Sequence, residues 1–404
     1  MSSYGSYGRP PNSSQHRPIT VSRLAPSNTT NTTMSGLFGS AATAASSATS
    51  TQGELSKDVQ VANGPDDSIS NLAFSPASDH LAVSSWDNKV RIYSIDQNGQ
   101  SSPAAMLEHQ GPALDSCWSK VGRSRRHDGT KIFSVGADKA GRMLDLAAGH
   151  TDPSKAQQVA VHDQPIRSCA MATVGGSPVL VTGGWDKMIK YWDLRSDKPI
   201  GMLECKDRVY TMDVKDNMLV VGTAERWIHV VNLVNPGASY KTIQSPLKWQ
   251  TRVCTIFSPD ANGYAVGSIE GRCAIQYVEE KDQSNNFSFK CHRQQSPTDR
   301  NMSNVYAVNA ISFHPVHGTF STSGADGTFH FWDKDAKHRL KGYPEVGGTT
   351  AATDFDRTGN IFAYAVSYDW SKGYQHNTAQ YPNKIMLHPV IGDECKPRPK
   401  TTKR

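Results

Sequence analysis

The sequence predicts an all-β chain folded as a seven-bladed β-propeller behind a disordered N-terminal tail. Three observations carry the prediction. A strand–turn–strand unit recurs along the chain, its period has the size of a propeller blade, and one spare strand is available to close the ring.

The unit is clearest in "GGWDKMIKYWDL", residues 183–194. Residues 179–182 form an apolar strand, residues 183–187 a turn rich in glycine and aspartate, and residues 189–192 a second strand. An isolated hairpin buries too little surface to hold in water, so this one has to belong to a larger sheet or to a set of copies.

The copies are present. Aligned on the acidic turn residue, they are "SSWDNKVRIYSI" at Asp87, "VGADKAGRMLDL" at Asp138, the stretch above at Asp186, "GTAERWIHVVNL" at Glu225, "GSIEGRCAIQYV" at Glu270 and "SGADGTFHFWDK" at Asp326. A weaker seventh, "VSYDWSKG", centres on Asp369. The steps between turn residues are 51, 48, 39, 45, 56 and 43. A period of about 40 to 50 with a terminal Trp-Asp marks WD40-type blades of four strands each. Upstream segments such as residues 72–75, 114–118, 208–212 and 308–313 supply the first strand of their repeats.

Within the third repeat a polar lock is expected. His162 lies before the first strand, Thr182 ends the second, Asp186 sits in the turn and Trp192 on the third strand. Asp186 would accept from the imidazole while Trp192 supplies its indole N–H, giving a structural tetrad. The alternative is a catalytic His-Asp pair, but no nucleophile is fixed beside it.

A ring must also join its first and last blades. The seventh repeat offers strands at 350–355, 361–366 and 384–388, one short of a blade. Residues 57–61, "KDVQV", alternate like a strand ahead of the first repeat and are expected to complete the last blade as its outer strand. The domains expected are therefore a tail over 1–56, the propeller over 57–392 and a basic terminus over 393–404.

Composition sets outer limits. The chain has 404 residues, formal charge +6 and 37% hydrophobic residues, enough for a β domain of about 335 residues with tails. No apolar run approaches the roughly 18 residues that span a bilayer, and the N-terminus lacks a hydrophobic signal region, so a soluble, intracellular chain without membrane insertion is expected. Seven cysteines scattered without CxxC pairing fit reduced thiols better than disulfides or a zinc site, and no metal or cofactor is expected. The first 56 residues are rich in Ser, Thr, Ala, Gly and Asn and cannot offset their own ordering entropy. Within them "GLFG", residues 36–39, is either a weak contact point for other phenylalanine-glycine segments or a chance apolar pair. "KPRPKTTKR", residues 396–404, is either attracted to phosphate or an import receptor, or merely solvating.

Several stretches are more specific than a generic repeat: "PDDSISNLAFSP", "SPLKWQTRVCTIF", "GSIEGRCAIQY", "FHPVHGTFSTSGADGTFHFWDKDAK" and "IFAYAVSYDWSKG". With them the chain resembles, from about residue 57 to 398, the WD-repeat mRNA export factors that dock on nuclear pores. The sister family, the kinetochore spindle-checkpoint WD-repeat protein, shares "SIEGR" and the spaced histidines before "TF" but not "WDKDAK" or "YDWSKG" in this form. "KVGRSRRHDGT", residues 120–130, departs from the pattern as a basic insertion in blade two and is given no family role.

The resemblance implies a non-enzymatic adaptor whose propeller face holds a GLEBS-type segment, a short acidic helix-containing piece of a phenylalanine-glycine nucleoporin. It also implies contact with single-stranded RNA or ribonucleoprotein, and a location in the nucleus and at the nuclear pore complex with shuttling to the cytoplasm. Arg226 and Arg272 follow the two glutamate turns and should emerge on one face, where an arginine fork suits carboxylates. The alternative is that each pairs with its neighbouring glutamate.

A second cluster, Phe289, Arg293, Trp332, Lys334, Lys337 and Arg339, interleaves cations with aromatics as a single-strand groove does. Against it, Trp332 is also the blade's own Trp-Asp tryptophan and basic strands often only face solvent. Two other functions compete: a spindle-checkpoint scaffold with checkpoint kinases as partners, and a ubiquitin-ligase substrate receptor. No GxSxG, HExxH or Walker motif points to an enzyme.

Overall fold

The computed structural model describes residues 51–120 and 129–398. The GLFG tetrapeptide, most of the basic insertion (121–128) and the last six residues lie outside the described residues. Seven four-stranded antiparallel sheets follow one another along the chain, each made of four successive strands except the last. Blade three is Ile166–Val174, Ser177–Gly184, Met188–Trp192 and Gly201–Glu204, and the other blades repeat its order.

The second strand of each blade is sandwiched between the neighbouring blades. His80–Ser85, Lys131–Gly136, Gly263–Ser268 and Phe320–Gly324 are buried almost end to end, which is why they read as continuous apolar and small-residue runs. Among the described residues the core divides into seven apolar clusters, one for each blade-to-blade interface. The ring is therefore held by packing between repeats, and no blade carries a core of its own.

Two regularities place the side chains that matter. The residue after each acidic turn residue is left-handed in all seven repeats: Asn88, Lys139, Lys187, Arg226, Gly271, Gly327 and Trp370. The weak seventh repeat thus obeys the same turn geometry as the rest. Each first strand also carries a bulge after its opening residue, which turns one side chain out of the ladder. Those side chains, among them Arg167, Tyr210, Arg252 and Asn309, line a central channel of about 1110 Å³.

Closure uses both ends of the chain. Val59–Gln60 pairs antiparallel with Lys384–Pro389 as the outer strand of blade seven. Beside it, His388 Nδ1 meets Asp58 at 2.6 Å and its Nε2 meets Glu394 at 3.3 Å. Burial opposes charge on this imidazole, but the two carboxylates push its pKa up to about 9. Contacts with the ring are made before residue 57: Gln52 bridges Gly342 in parallel and Leu55 packs on the cluster between blades six and seven. The boundary drawn at 56 from sequence falls inside this lead-in. One element has no counterpart in the repeat reading, a two-stranded ribbon of Arg293–Gln295 and Ser303–Val305 between blades five and six. It accounts for the step of 56 between Glu270 and Asp326.

In a four-stranded meander the second-to-third turns and the links between blades share one face of the ring, here the turn face. The third-to-fourth turns lie on the opposite face. No helix of the described residues is long and apolar enough to cross a membrane.

Candidate functional site

The expected tetrad is assembled in blade three. His162 Nδ1 lies 2.9 Å from Asp186 and its Nε2 2.8 Å from Thr182 Oγ1, which also accepts the Trp192 indole N–H at 2.8 Å. Burial lowers the His162 pKa, against the pull of Asp186, which favours the neutral ring. His292, Thr322, Asp326 and Trp332 repeat the arrangement in blade six, and blade two has a shorter version, His109 with Ser134 and Asp138. Recurrence in three blades with both imidazole nitrogens engaged marks a lock between strands. His292, Asp326 and His330 also approach one another closely enough to suggest a metal site. Both nitrogens of His292 are already bonded to Asp326 and Thr322, so the cluster is accounted for by the lock.

The two arginines expected to act as a pair do not occupy equivalent places. Arg226 is itself the left-handed turn residue, with φ 64°, whereas Gly271 takes that place in blade five and Arg272 comes one residue later as the first of its strand. The Arg226 guanidinium reaches the following link, where its Nη1 donates to the Leu247 carbonyl at 2.9 Å. Arg272 stays at the surface, 31% exposed, with its Nε 3.7 Å from Glu270. Both arginines are part-exposed, and they differ in partner: Arg226 holds the Leu247 carbonyl, whereas Arg272 stands beside Glu270.

Between these turns runs the link 245–250. Ser245 N–H donates to the Arg226 carbonyl at 2.7 Å, Lys248 N–H to Glu270 Oε1 at 3.1 Å, and Ile269 N–H to the Gln250 carbonyl at 3.1 Å. Leu247 is buried beneath. Held from both sides, the link displays Trp249, 61% exposed, next to the turn that carries Ile269 and Arg272. An exposed tryptophan with an isoleucine and two cations, Lys248 and Arg272, is an aromatic anchor with a basic rim. Sequence reasoning missed Trp249. Its signal was a tryptophan in a polar link, outside any strand alternation.

The second predicted cluster divides. Phe289, on the outer strand of blade five, lies 4.5 Å from Trp332 on the third strand of blade six, ring centre to ring centre, and both are half-buried. The Trp332 indole N–H is committed to Thr322. Lys334 Nζ stands over Phe257 at 5.2 Å and bonds Asp335 at 2.8 Å, leaving its side chain 13% exposed. Lys337 stands over Phe287 at 5.0 Å and Arg339 is exposed on the outer strand. These groups form a seam between blades five and six, and Lys334 and Lys337 open on the face opposite Arg272. Arg293 is not among them. Its guanidinium donates to the carbonyls of Glu270 at 2.7 Å and Gly271 at 3.3 Å, bracing the Arg272 turn from the ribbon.

A WD40 model, the G-beta repeat domain, matches residues 56–94, 154–193 and 301–333. The chain is 61% identical over 360 residues to the "mRNA export factor GLE2" of Chaetomium thermophilum, covering 88% of this chain and 97% of that protein. It is 54% identical over 353 residues to the "Poly(A)+ RNA export protein" of Schizosaccharomyces pombe, 87% and 96% of the two chains. It belongs to the WD40-repeat mRNA export factor family. A zebrafish (Danio rerio) member named "mRNA export factor" is 43% identical over 351 residues, 85% of this chain and 92% of its own. In each pair the shared region spans most of both chains, so the likeness is of the whole propeller.

Proposed function

We propose that this member of the family serves nuclear mRNA export as a non-enzymatic adaptor. In this reading its turn face docks a GLEBS-type acidic segment of a phenylalanine-glycine nucleoporin, and the seam between blades five and six contacts single-stranded RNA. The protein then works in the nucleus and at the pore and shuttles to the cytoplasm. The observation that carries the docking is the link 245–250, which displays Trp249 and Lys248 beside Arg272. The names of the relatives support the process.

The roles divide among residues. Trp249 and Ile269 supply apolar anchors, Lys248 and Arg272 meet carboxylates, and Arg226, Glu270 and Arg293 position the link and the turn. On the seam, Phe289 and Trp332 offer ring edges for stacking while Lys337 and Arg339 meet phosphates without reading sequence. Lys334, paired with Asp335, contributes less.

Affinity capture from nuclear extract tests the reading, with wild type and Arg272→Glu run side by side. Wild type should retain nucleoporins, and the variant should lose them. Recovery of checkpoint kinases instead would favour the kinetochore scaffold, and recovery of cullin-linked adaptors a ligase receptor.

A further inference from the structure

Just inside the turn face, the central channel is ringed by the bulge residues of the first strands, one from each blade. On blades three to six these are Arg167, Tyr210, Arg252 and Asn309. On blades one, two and seven they are Ser70, Leu114 and Ala351, so both cations lie on one side of the ring and the other side is uncharged.

The protein does not neutralise either arginine. Arg167 Nη1 donates to the Leu114 carbonyl at 3.1 Å and Arg252 Nη2 to the Asp369 carbonyl at 2.8 Å, and among the described residues neither forms an ion pair. The carboxylates whose charges reach them are committed elsewhere. Asp115 accepts from Ser168 Oγ at 2.6 Å and from the Cys169 N–H at 3.0 Å. Asp369 accepts from Asn309 Nδ2 and from the Ser371 N–H at 3.1 Å each. Burial lowers the Arg252 pKa against the pull of Asp369, and the charge of Arg167 lowers it further. Two other groups of the channel wall, Trp370 Nε1 and Asn309 Oδ1, are buried without a hydrogen-bond partner among the described residues.

We propose that this ring binds a phosphate group, free or carried by a small phosphomonoester, between the guanidiniums of Arg167 and Arg252. The two forks come from blades three and five, on either side of Tyr210, and so meet a shared ligand from different directions. A carboxylate offers two oxygens in one plane and is satisfied by one fork, whereas a tetrahedral phosphate has oxygens for both. Ser70 and Ala351 leave room across the ring. Trp86 and Trp370, in the turns of blades one and seven, stack with ring centres 4.3 Å apart and give the channel mouth an aromatic wall on the uncharged side. The unpartnered indole N–H and Asn309 oxygen suit the acceptors and hydroxyls of a phosphorylated polyol. None of these residues belongs to the blade-five dock or to the RNA seam, so the site stands or falls without either.

The test is calorimetry on the full chain in chloride buffer at constant ionic strength, with inorganic phosphate and glycerol 2-phosphate as probes. Wild type should give a saturable one-site heat. Arg167→Gln and Arg252→Gln should each weaken binding by about tenfold or more, as expected for a lost charged hydrogen bond. Arg195→Gln removes a cation that is 78% exposed and paired with Asp193, and should bind as wild type does. Because Arg252 also braces the Asp369 carbonyl, Ala351→Glu gives a second route. It keeps both arginines, sets a carboxylate across the ring from them and should abolish binding with the melting curve preserved.

Tighter binding of glycerol 2-phosphate assigns the site to a phosphomonoester, and tighter binding of inorganic phosphate assigns it to the free anion. The absence of a saturable heat with both probes overturns the site. So does wild-type affinity in both arginine variants or in Ala351→Glu. An equal loss in Arg195→Gln overturns it as well, by making the heat a diffuse response to surface charge.

Discussion

Blade three and blade five have the same four strands and the same left-handed turn, yet they close that turn by different chemistry. In blade three Asp186 is locked to a buried imidazole, which is locked in turn to Thr182 and Trp192. In blade five Glu270 replaces the aspartate, and Val266 stands four residues before it where blade three has Thr182. With no imidazole to hold, the longer Glu270 side chain reaches the Lys248 N–H of the incoming link. Blade three spends its polar groups on itself, whereas blade five uses them to present a neighbouring loop. A repeat that leaves its own lock incomplete has its turn carboxylate free to hold the incoming link.

Removing the two carboxylates should separate these roles most widely. Asp186→Ala strands the buried His162 donor and should cost roughly 2–4 kcal/mol in denaturant unfolding. Glu270→Ala loses a contact near the surface and a 3.7 Å ion pair, and should cost under about 1 kcal/mol. Equal losses would erase the distinction.

The arginines give a smaller contrast. Arg226→Ala removes a charged donor from the Leu247 carbonyl and should cost roughly 1–2 kcal/mol, while Arg272→Ala should stay within about 0.5 kcal/mol of wild type. The reverse order would mean that Arg272, not Arg226, holds the link.

Acid should weaken blade three more than blade five. Burial lowers the His162 pKa below its unfolded value of about 6.5, so its contribution to stability is complete above that pH and is lost as pH falls toward the folded value. Hydrogen exchange, corrected for its intrinsic rate, should show protection in Ser177–Gly184 declining between pH 7 and pH 5 more than in Gly263–Ser268. A parallel decline would show that the blades titrate as one body.

Regular blades were legible in the sequence because the acidic turn residue, the apolar run before it and, in blades three and six, the tryptophan after it each answer to a separate physical demand. The closing strand was legible too, since residues 57–61 alternate where no other partner strand exists. The ribbon of Arg293–Gln295 and Ser303–Val305 was not, because it buries no apolar face and so leaves no periodicity. Arg226 and Arg272 looked equivalent because both follow a glutamate. Their backbone positions differ, since Arg226 is the left-handed turn residue and Arg272 follows Gly271, and so do their partners, the Leu247 carbonyl and Glu270. Arg293 was grouped with the aromatic seam by its nearness in sequence, but it lies past the end of the Phe287–Lys290 strand, where its guanidinium braces the Arg272 turn.

Docking on the blade-five turn is tested most directly by calorimetry with an acidic GLEBS-type peptide. Arg272→Glu should weaken binding by roughly 2–5 kcal/mol and Trp249→Ala by about 2 kcal/mol or more, with both melting curves preserved. A Lys337→Glu, Arg339→Glu double variant on the opposite face should bind as wild type does. Wild-type affinity in both Arg272→Glu and Trp249→Ala would contradict the assignment of the turn face as the nucleoporin dock.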